Sequence, residues 1–266
     1  MFVEGLQYHT EQLPFRLLGL RKEFPELQWG AAAQLSAASA FHILKHRTAI
    51  EGYPLPEKGA VIVTGNHRDD GDSREIWWAA MTTAHRVLRP VVKMSLIVEG
   101  ATEPEEYLKS IDALEEEGFG VYNNRVASVL KGIGAIGVMR NNPDREFLRQ
   151  CHKVLGNDEM LGIFLQPSRN QYLKHLQQGA ANLARMYPNA VVCPIAFGKN
   201  RVKLLEQFTY AELSEREDRK ISPAELTIMI ADMVARELPE DVQKDWVTSR
   251  EIELARLSTP SNKQTA

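Results

Sequence analysis

The sequence predicts an α/β fold with a mixed, mostly parallel sheet flanked by helices, preceded by a helical N-terminal segment. Two observations carry this prediction. Short apolar runs bounded by Gly, Pro or polar residues alternate along the chain with stretches of helical periodicity, and this alternation is typical of βα units. The candidate strands are residues 61–64, 90–93, 135–138, 161–165 and 191–197.

Four helices are predicted between and after these strands. Residues 72–85 carry apolar side chains at helical spacing, and residues 144–155 follow Asn142-Pro143 and end at Gly156, a cap, a first-turn proline and a glycine stop. A third helix covers residues 176–186. The fourth follows a capping box that begins at Ser222 and closes at Glu225.

The 266 residues are enough for one large domain, or for a core domain with a small N-terminal subdomain. We divide the chain into a helical N-terminal segment (1–55), a core domain (56–255) and a flexible polar tail (256–266). An insertion between the strands at 90–93 and 135–138 has its own helix signal at residues 102–117.

Composition excludes several classes of protein. Apolar residues make up 44% and charged residues 25% of the chain, and the net charge of −3 gives no reason to expect nucleic acid as a partner. The two cysteines, Cys151 and Cys193, form no CxxC pair and lie near no histidine at metal-ligand spacing, so we expect neither a disulfide framework nor a metal site. We see no secretion signal and no segment that would span a bilayer.

The segment Asn66-His67-Arg68-Asp69-Asp70-Gly71-Asp72-Ser73 is the richest in chemistry. It follows a candidate buried strand and begins a helix, so His67 should lie on a strand-to-helix turn facing the ligand crevice of the sheet. A lone histidine is usually structural, but here Asp72 follows five residues later. Positions five apart on a continuous helix lie about 140° apart, so the two side chains meet only across an irregular turn, which Gly71 would permit. Asp69 and Asp70 are alternative partners.

Further polar groups follow other strands in order. Lys93 ends the run Pro90-Val91-Val92, Arg140 ends a run that begins at Gly134, and Gln166-Pro167-Ser168-Arg169 follows Phe164-Leu165. An apolar run, Val191-Val192-Cys193-Pro194-Ile195-Ala196, comes last.

This ordered set, over residues 60–197, resembles the glycerolipid acyltransferase superfamily and its 1-acylglycerol-3-phosphate acyltransferases. Members carry NHxxxxD, GxIxxxR, FPEGTR-type and VPVxPV-like blocks. Asn66, His67 and Asp72 match the first block, and Gly134, Ile136 and Arg140 match the second. Lys93 and Gly179-Ala180-Ala181 also fall where the family has a lysine and a helix start. The third block departs from the pattern, since Gln166-Pro167 replaces Glu-Gly.

The resemblance implies a glycerolipid acyltransferase-like fold and an enzyme of phospholipid biosynthesis. It would move a fatty acyl group from acyl-CoA or acyl-carrier protein, as co-substrate, to a lysophospholipid or glycerol-phosphate-like hydroxyl, with no metal or organic cofactor. A neutral imidazole suits the removal of the hydroxyl proton, so His67 is the candidate base, with Asp72 orienting it.

The same resemblance assigns the other site residues. Lys93 is the third catalytic candidate and, with the Ser168 amide, could stabilise the oxyanion, although Lys93 could also form a surface ion pair. Arg140 and Arg169 could hold a phosphate or form structural salt bridges. The set expected to bind substrate is Asn66, Arg140, Gln166, Ser168 and Arg169.

Three alternatives stay open. Gln166 and Pro167 favour an acceptor without the usual phosphate, a non-catalytic lipid-binding protein could keep the same fold, and a hydrolase could use water at the same base. Apolar residues from Leu13 to Leu20 lie beside Arg16, Arg21 and Lys22, so the N-terminal segment is a candidate membrane-interfacial helix, joined by residues 102–126. We therefore expect a cytoplasmic protein peripherally associated with the membrane.

Overall fold

The computed structural model describes residues 28–69, 71–93, 96–97, 124–138 and 145–259. Strands and helices alternate through most of these residues. The strands are β1 (Ala49–Gly52), β2 (Val61–Gly65), β3 (Leu88–Lys93), β4 (Ile136–Val138), β5 (Met160–Gly162), β6 (Val191–Gly198), β7 (Arg201–Leu204) and β8 (Phe208–Thr209). The helices are α1 (Trp29–His46), α2 (Asp72–Ala79), α3 (Asn124–Gly132), α4 (Arg145–Gly156), α5 (Gly179–Met186), α6 (Tyr210–Arg216), α7 (Pro223–Ala235) and α8 (Glu240–Ser258).

The strands form one sheet in the order β1-β7-β6-β2-β5-β3-β4, with β8 paired to β6. Pairings along this order are parallel except β6 with β7, and β8 also runs antiparallel to β6. The predicted α/β fold with a mixed, mostly parallel sheet is therefore confirmed. Strand β2 lies between two parallel neighbours and is buried along its whole length, and its carboxyl end lies at the edge of the sheet where open α/β folds bind their ligands.

Helices cover both faces of the sheet. On one face, Val61 and Val63 of β2 pack with residues of α1, α2 and the end of α3. On the other, Ile62 packs with residues of α4, α5, α7 and α8. The alternation of β2 side chains between two cores follows from the two-residue period of a strand, and it anchors the strand that precedes His67.

All five predicted strands are present, with shifted ends. Strand β5 stops at Gly162 rather than at residue 165, although the amides of Ile163 and Leu165 still donate to the carbonyls of Val63 and Gly65. Strands β1, β7 and β8 were not predicted. Strand β1 lies inside the segment assigned to the N-terminal unit and pairs with β7, so the sheet begins before residue 56.

The predicted helices are also present. Helix α2 begins at Asp72, ends at Ala79 and continues as a π-helical turn from Ala80 to Ala84. The capping box at Ser222 is confirmed. Helix α5 begins at Gly179 rather than 176, and the Leu176 amide before it donates to Glu253 Oε2 of α8. Helices α3, α6 and α8 were not predicted, and α8 extends to Ser258, within the proposed tail.

Several predicted features lie outside the described residues, among them the helix at 102–117, the interfacial stretch at 13–22, the helix start at Asn142-Pro143 and the tail beyond residue 259. Among the helices that are described, none has an apolar run long enough to cross a bilayer.

Candidate active site

The imidazole of His67 and the carboxylate of Asp72 lie within hydrogen-bond distance at the carboxyl end of β2. His67 Nδ1 is 3.1 Å from Asp72 Oδ2, and the Asp72 side chain is fully buried whereas that of His67 is 17% exposed. An ionised carboxylate only accepts hydrogen bonds, so in the neutral form of the imidazole Nδ1 carries the proton and Nε2 carries the lone pair. The pair therefore presents a histidine in the tautomer that a general base requires.

The turn between them is held by the same carboxylate. Asp72 Oδ2 also accepts hydrogen bonds from the backbone amides of Arg68 (2.5 Å) and Asp69 (2.9 Å), which wraps residues 67–69 around it. Asp69 instead bonds the Gly71 amide and the Arg68 guanidinium. Of the two alternative partners for His67, Asp69 is thus engaged elsewhere, and Asp70 lies outside the described residues.

The reason expected for Gly71 was wrong. Its backbone is in the ordinary right-handed helical region (φ −69°, ψ −30°), which any residue adopts. What requires glycine is space, because a Cβ atom at this position would lie 2.5 Å from His42 Nε2 on α1 and 2.8 Å from Asp69 Oδ1. The turn becomes irregular because His67 and Arg68 precede the helix, and Asp72 is its first residue.

The loop from residue 163 to 178 lies against His67. The ring of Phe164 stacks on the imidazole at 4.2 Å between centroids and 3° between planes. The His67 amide donates to Gln166 Oε1 (3.0 Å), and the His67 carbonyl accepts from the Asn170 amide (2.8 Å). Phe164, Gln166 and Asn170 therefore fix the ring and both backbone polar groups of the histidine.

Gln166 and Asn66 make backbone contacts that hold the site together. Gln166 Oε1 accepts from His67 while its Nε2 donates to the Tyr172 carbonyl (2.7 Å). A carboxylate could not make the second bond, which gives a physical reason for an amide where the family pattern has glutamate. Asn66 likewise donates to the Phe197 carbonyl and accepts from the Phe197 amide, tying β2 to β6. Both side chains are nearly inaccessible to solvent.

The remaining predicted site residues are placed as follows. Ser168 and Arg169 are half-buried and lie in the chain between Gln166 and Asn170, the two loop residues that bond the His67 backbone. Lys93 ends β3, and the strand registers put it level with Asn66 but two strands away, about 10 Å across the sheet. Arg140 lies outside the described residues. Among the residues that the structure describes, no three His, Cys, Asp or Glu side chains are arranged so that they could hold a metal ion.

Three further polar residues surround the pair and were not singled out from the sequence. Arg68 Nη2 lies 3.2 Å from Asp72 Oδ1 and 3.3 Å from Glu75 Oε2, and His42 Nε2 lies 3.4 Å from Glu75 Oε1. The sequence did hold a signal for Glu75, since a residue three positions after Asp72 in a helix shares its face.

Burial controls the electrostatics of this cluster. Burial raises the pKa of Glu75 to about 7, opposed by the charge of Arg68 and reinforced by that of Asp72. Burial also raises the pKa of Asp72, while the hydrogen bond and charge of His67 and the charge of Arg68 counter it. The site thus holds two buried carboxyl groups whose charge depends on one guanidinium.

The fold is similar to that of a known acyltransferase. The crystal structure of the 1-acyl-sn-glycerophosphate (LPA) acyltransferase PlsC from Thermotoga maritima superposes with a TM-score of 0.54, covering 90% of this chain and 97% of that one at 13% sequence identity. No family model and no curated protein matches the sequence. The chain therefore has an acyltransferase-like α/β fold, and the resemblance inferred from the motifs is confirmed at the level of the fold.

Proposed function

We propose that the protein is an O-acyltransferase that moves a fatty acyl group from acyl-CoA or acyl-carrier protein to the hydroxyl of a lysophospholipid or a glycerol-phosphate-like lipid. One observation carries the proposal: the 3.1 Å contact between His67 Nδ1 and Asp72 Oδ2, at the crevice edge of an acyltransferase-like sheet. A lipid hydroxyl is too weak an acid to attack a thioester unaided, so a positioned base is the group that this reaction needs most.

In the proposed reaction, Nε2 of His67 takes the proton of the acceptor hydroxyl as its oxygen bonds the thioester carbonyl carbon. Asp72 stabilises the imidazolium that forms. The tetrahedral intermediate then collapses, the C–S bond breaks, and the imidazolium returns the proton to the leaving thiolate. The acceptor hydroxyl takes the part that a serine plays in the Ser-His-Asp triad, so no covalent acyl-enzyme is required.

Charges on the substrates are assigned to residues at the same edge of the sheet. We infer that Lys93 and the Ser168 amide stabilise the oxyanion, and that Arg169, with Arg140, holds the acceptor phosphate. The hydrogen bonds of the loop to His67 support the placement of Ser168 and Arg169. Asn66 and Gln166 enter the proposal as positioning residues, because their amide groups bond the backbone.

A second candidate function is acyl transfer to a lipid without a phosphate. It is favoured by the sequence Gln166-Pro167, where the family pattern has Glu-Gly. Gln166 is occupied by backbone contacts and Pro167 has no amide proton, so neither residue offers the acceptor the groups that the family pattern would supply.

We also propose that the N-terminal segment, residues 1–55, attaches the enzyme peripherally to the cytoplasmic face of a membrane, and that residues 56–255, completed by strand β1 of that segment, form the catalytic unit. Helix α1 supports this proposal, because Phe41 and Leu44 are 68% and 53% exposed and Lys45, His46 and Arg47 end the helix beside them. Apolar side chains next to cations suit an anionic lipid surface. Vesicle co-sedimentation of wild type and Phe41→Ser would test it.

The test of function is an acyl-transfer assay with long-chain acyl-CoA and a panel of lysophospholipids, glycerol 3-phosphate and neutral or amine-headed lipids. Thiol release and acylated product are both measured. We expect product with phosphate-headed acceptors, its loss in His67→Ala, and a weaker acceptor affinity in Arg169→Ala. His152→Ala, which removes an exposed histidine of α4, serves as the matched control and keeps activity.

The other outcomes separate the alternatives. Product only with neutral or amine-headed lipids favours the second candidate. Thiol release without acylated product indicates a hydrolase. Lipid binding that survives in His67→Ala, with no thiol release in wild type, indicates a non-catalytic lipid-binding protein and overturns the proposal.

A further inference from the structure

The guanidinium of Arg68 connects the histidine turn to the neighbouring strand. Its Nε donates to Asp69 Oδ2 (2.6 Å), and its Nη1 donates to the carbonyl of Gly198 at the end of β6. Its Nη2 lies 3.2 Å from Asp72 Oδ1 and 3.3 Å from Glu75 Oε2. One side chain therefore joins the turn, the first turn of α2 and the strand next to β2.

Two of the three carboxylates that Arg68 contacts, those of Asp72 and Glu75, have almost no access to water. Asp72 and Glu75 lie three positions apart at the start of α2, with side chains 0% and 1% exposed. Two carboxylates in one dry site cannot both stay ionised without a nearby cation. Asp72 Oδ1 has no well-aligned hydrogen bond, so its stabilisation on that side is the charge of Arg68.

Glu75 has weaker partners on its other side. Its Oε1 accepts a hydrogen bond from Thr48 Oγ1 (3.2 Å) and lies 3.4 Å from His42 Nε2. Burial lowers the pKa of His42, with His46 and Arg74 acting in the same direction, so at neutral pH its ring adds little positive charge. Arg68 is thus the cation that both carboxylates share.

We propose that Arg68 is a positioning residue for the His67–Asp72 pair, which keeps Asp72 ionised and aimed at the imidazole by balancing Asp72 against Glu75. The inference rests on the proposed function for its catalytic meaning. Without Arg68, the two buried carboxyl groups compete for a proton, and Asp72 is protonated in part of the molecules. A protonated Asp72 no longer stabilises the imidazolium, and the base loses its orientation.

The groups that can disturb this balance are few. Among the described residues, His42 and His46 face the cluster from α1, Arg74 lies on α2, and Asp69 lies in the turn. Strand β6 contributes the uncharged Gly198 carbonyl. Asp70 lies outside the described residues. Since burial raises the pKa of Glu75 to about 7, the charge of the cluster changes in the range where the enzyme is assayed.

The test is a double-mutant cycle of Arg68→Gln and Glu75→Gln in the full chain, read as kcat and as the pH profile of kcat/KM with long-chain acyl-CoA and lysophosphatidic acid. Arg68→Gln should lower kcat about 10²-fold and move the acidic limb of the profile to higher pH. Glu75→Gln should move that limb to lower pH. The double variant should recover at least about tenfold over Arg68→Gln, because a single buried carboxylate no longer has a like-charged neighbour.

Matched controls come from an ion pair at the opposite edge of the sheet. Arg89 Nε and Glu159 Oε2 lie 2.7 Å apart, both largely buried. Arg89→Gln and Glu159→Gln remove the same groups and should leave the acidic limb in place. Arg68→Lys keeps the positive charge but loses the planar set of guanidinium donors, so an intermediate kcat is expected. If Arg68→Gln does not fold, Arg68→Lys takes its place in the cycle.

The outcomes separate this inference from the proposed function. The inference is overturned, while acyl transfer stands, if the kcat losses of Arg68→Gln and Glu75→Gln simply add in the double variant. It is also overturned if the acidic limbs of the two single variants do not move in opposite directions. If wild type transfers no acyl group, the proposed function fails, and thermal unfolding from pH 5 to 8 decides the charge balance. Arg68→Gln should then lose melting temperature with rising pH more steeply than wild type, and the double variant should not. Equal slopes overturn the inference.

Discussion

Two segments meet at His67, and they are held in different ways. The turn from residue 66 to 72 is organised mainly by its own carboxylate, since Asp72 bonds His67, Arg68 and Asp69 within five positions. The loop from 163 to 178 is organised by distant residues. Its amides at His175 and Leu176 donate to Glu253 of α8, and Gln178 donates to the Leu257 carbonyl.

The two segments therefore have different roles: the turn carries His67 and Asp72, and the loop, held by α8, positions residues around them. Changes in the turn alter the groups that we propose handle the proton, and they do so through short local contacts. Changes in the α8 anchors alter where Ser168 and Arg169 lie, through contacts nearly eighty residues apart in sequence. We therefore expect turn variants to lower kcat, and anchor variants to lower stability and weaken the binding of the acceptor.

The largest effect is expected for Asp72→Asn. All three donors meet Asp72 Oδ2, so an amide can keep them only by placing its NH2 group at the Oδ1 position, 3.2 Å from Arg68 Nη2. The amide also carries no charge to stabilise the imidazolium, so kcat should fall by about 10³-fold or more. The measurement is single-turnover acyl transfer. Asp69→Asn is the control, since that side chain is half-exposed and bonds Arg68 and Gly71 rather than His67, and a loss below tenfold is expected. Equal losses in the two variants would make Asp69 the orienting acid.

The turn should also carry a pH signature of stability. Burial raises the pKa of Glu75 to about 7, from an ordinary 4.5 in the unfolded chain. The protonated carboxyl group of Glu75 therefore stabilises the folded protein fully below pH 4.5, and this contribution is lost as the pH rises to 7. From pH 4.5 to 8, Glu75→Gln should gain up to roughly 3 kcal/mol relative to wild type.

Urea unfolding at several pH values measures this gain. Glu240→Gln, which removes an exposed carboxyl group at the start of α8, should follow the wild-type curve. Parallel curves for wild type and Glu75→Gln would show that the buried carboxyl group does not change charge in this range.

The anchor is tested by Glu253→Gln. An amide cannot accept from both the His175 and Leu176 amides while also facing Arg256, so one buried N–H loses its partner, at about 2 kcal/mol. Acceptor KM should rise with kcat less affected, because the loop shifts while His67 and Asp72 do not. Glu251→Gln, a 75% exposed neighbour on the same helix, is the control. If only kcat fell, Glu253 would act on His67 and Asp72 rather than on the binding of the acceptor.

The same difference explains what the sequence could predict. The pairing of His67 with Asp72 follows from a strand, a five-residue spacing and a helix start, all of which are local and visible in the motif. The role of Gly71 was not predictable, because it depends on His42 from a helix packed against the turn. The sheet was predicted from its apolar central strands, whereas β1 and β7 at its edge carry charged residues and gave no such signal.

The contacts of Gln166 show the same limit. From the motif, its amide looked like a group for the acceptor, and its two backbone contacts need the folded loop to be seen. His67 lies 99 positions from Gln166 in the sequence, and Tyr172 contacts Gln166 because the loop folds back on itself. Positions that depend on such closure cannot be assigned from a block of six residues.

Gln166→Glu tests the joint between the two segments and should have the smallest effect. The carboxylate keeps the bond from the His67 amide but sets an oxygen against the Tyr172 carbonyl, 2.7 Å from the present nitrogen, so we expect a loss of about 1–2 kcal/mol in unfolding free energy. Activity should fall severalfold even though the change restores the glutamate of the family pattern. Gln34→Glu, the same change on the exposed face of α1, should be neutral. A gain of transfer to phosphate-headed acceptors would instead mean that residue 166 reaches the substrate, and that the loop is set by the acceptor rather than by the histidine turn.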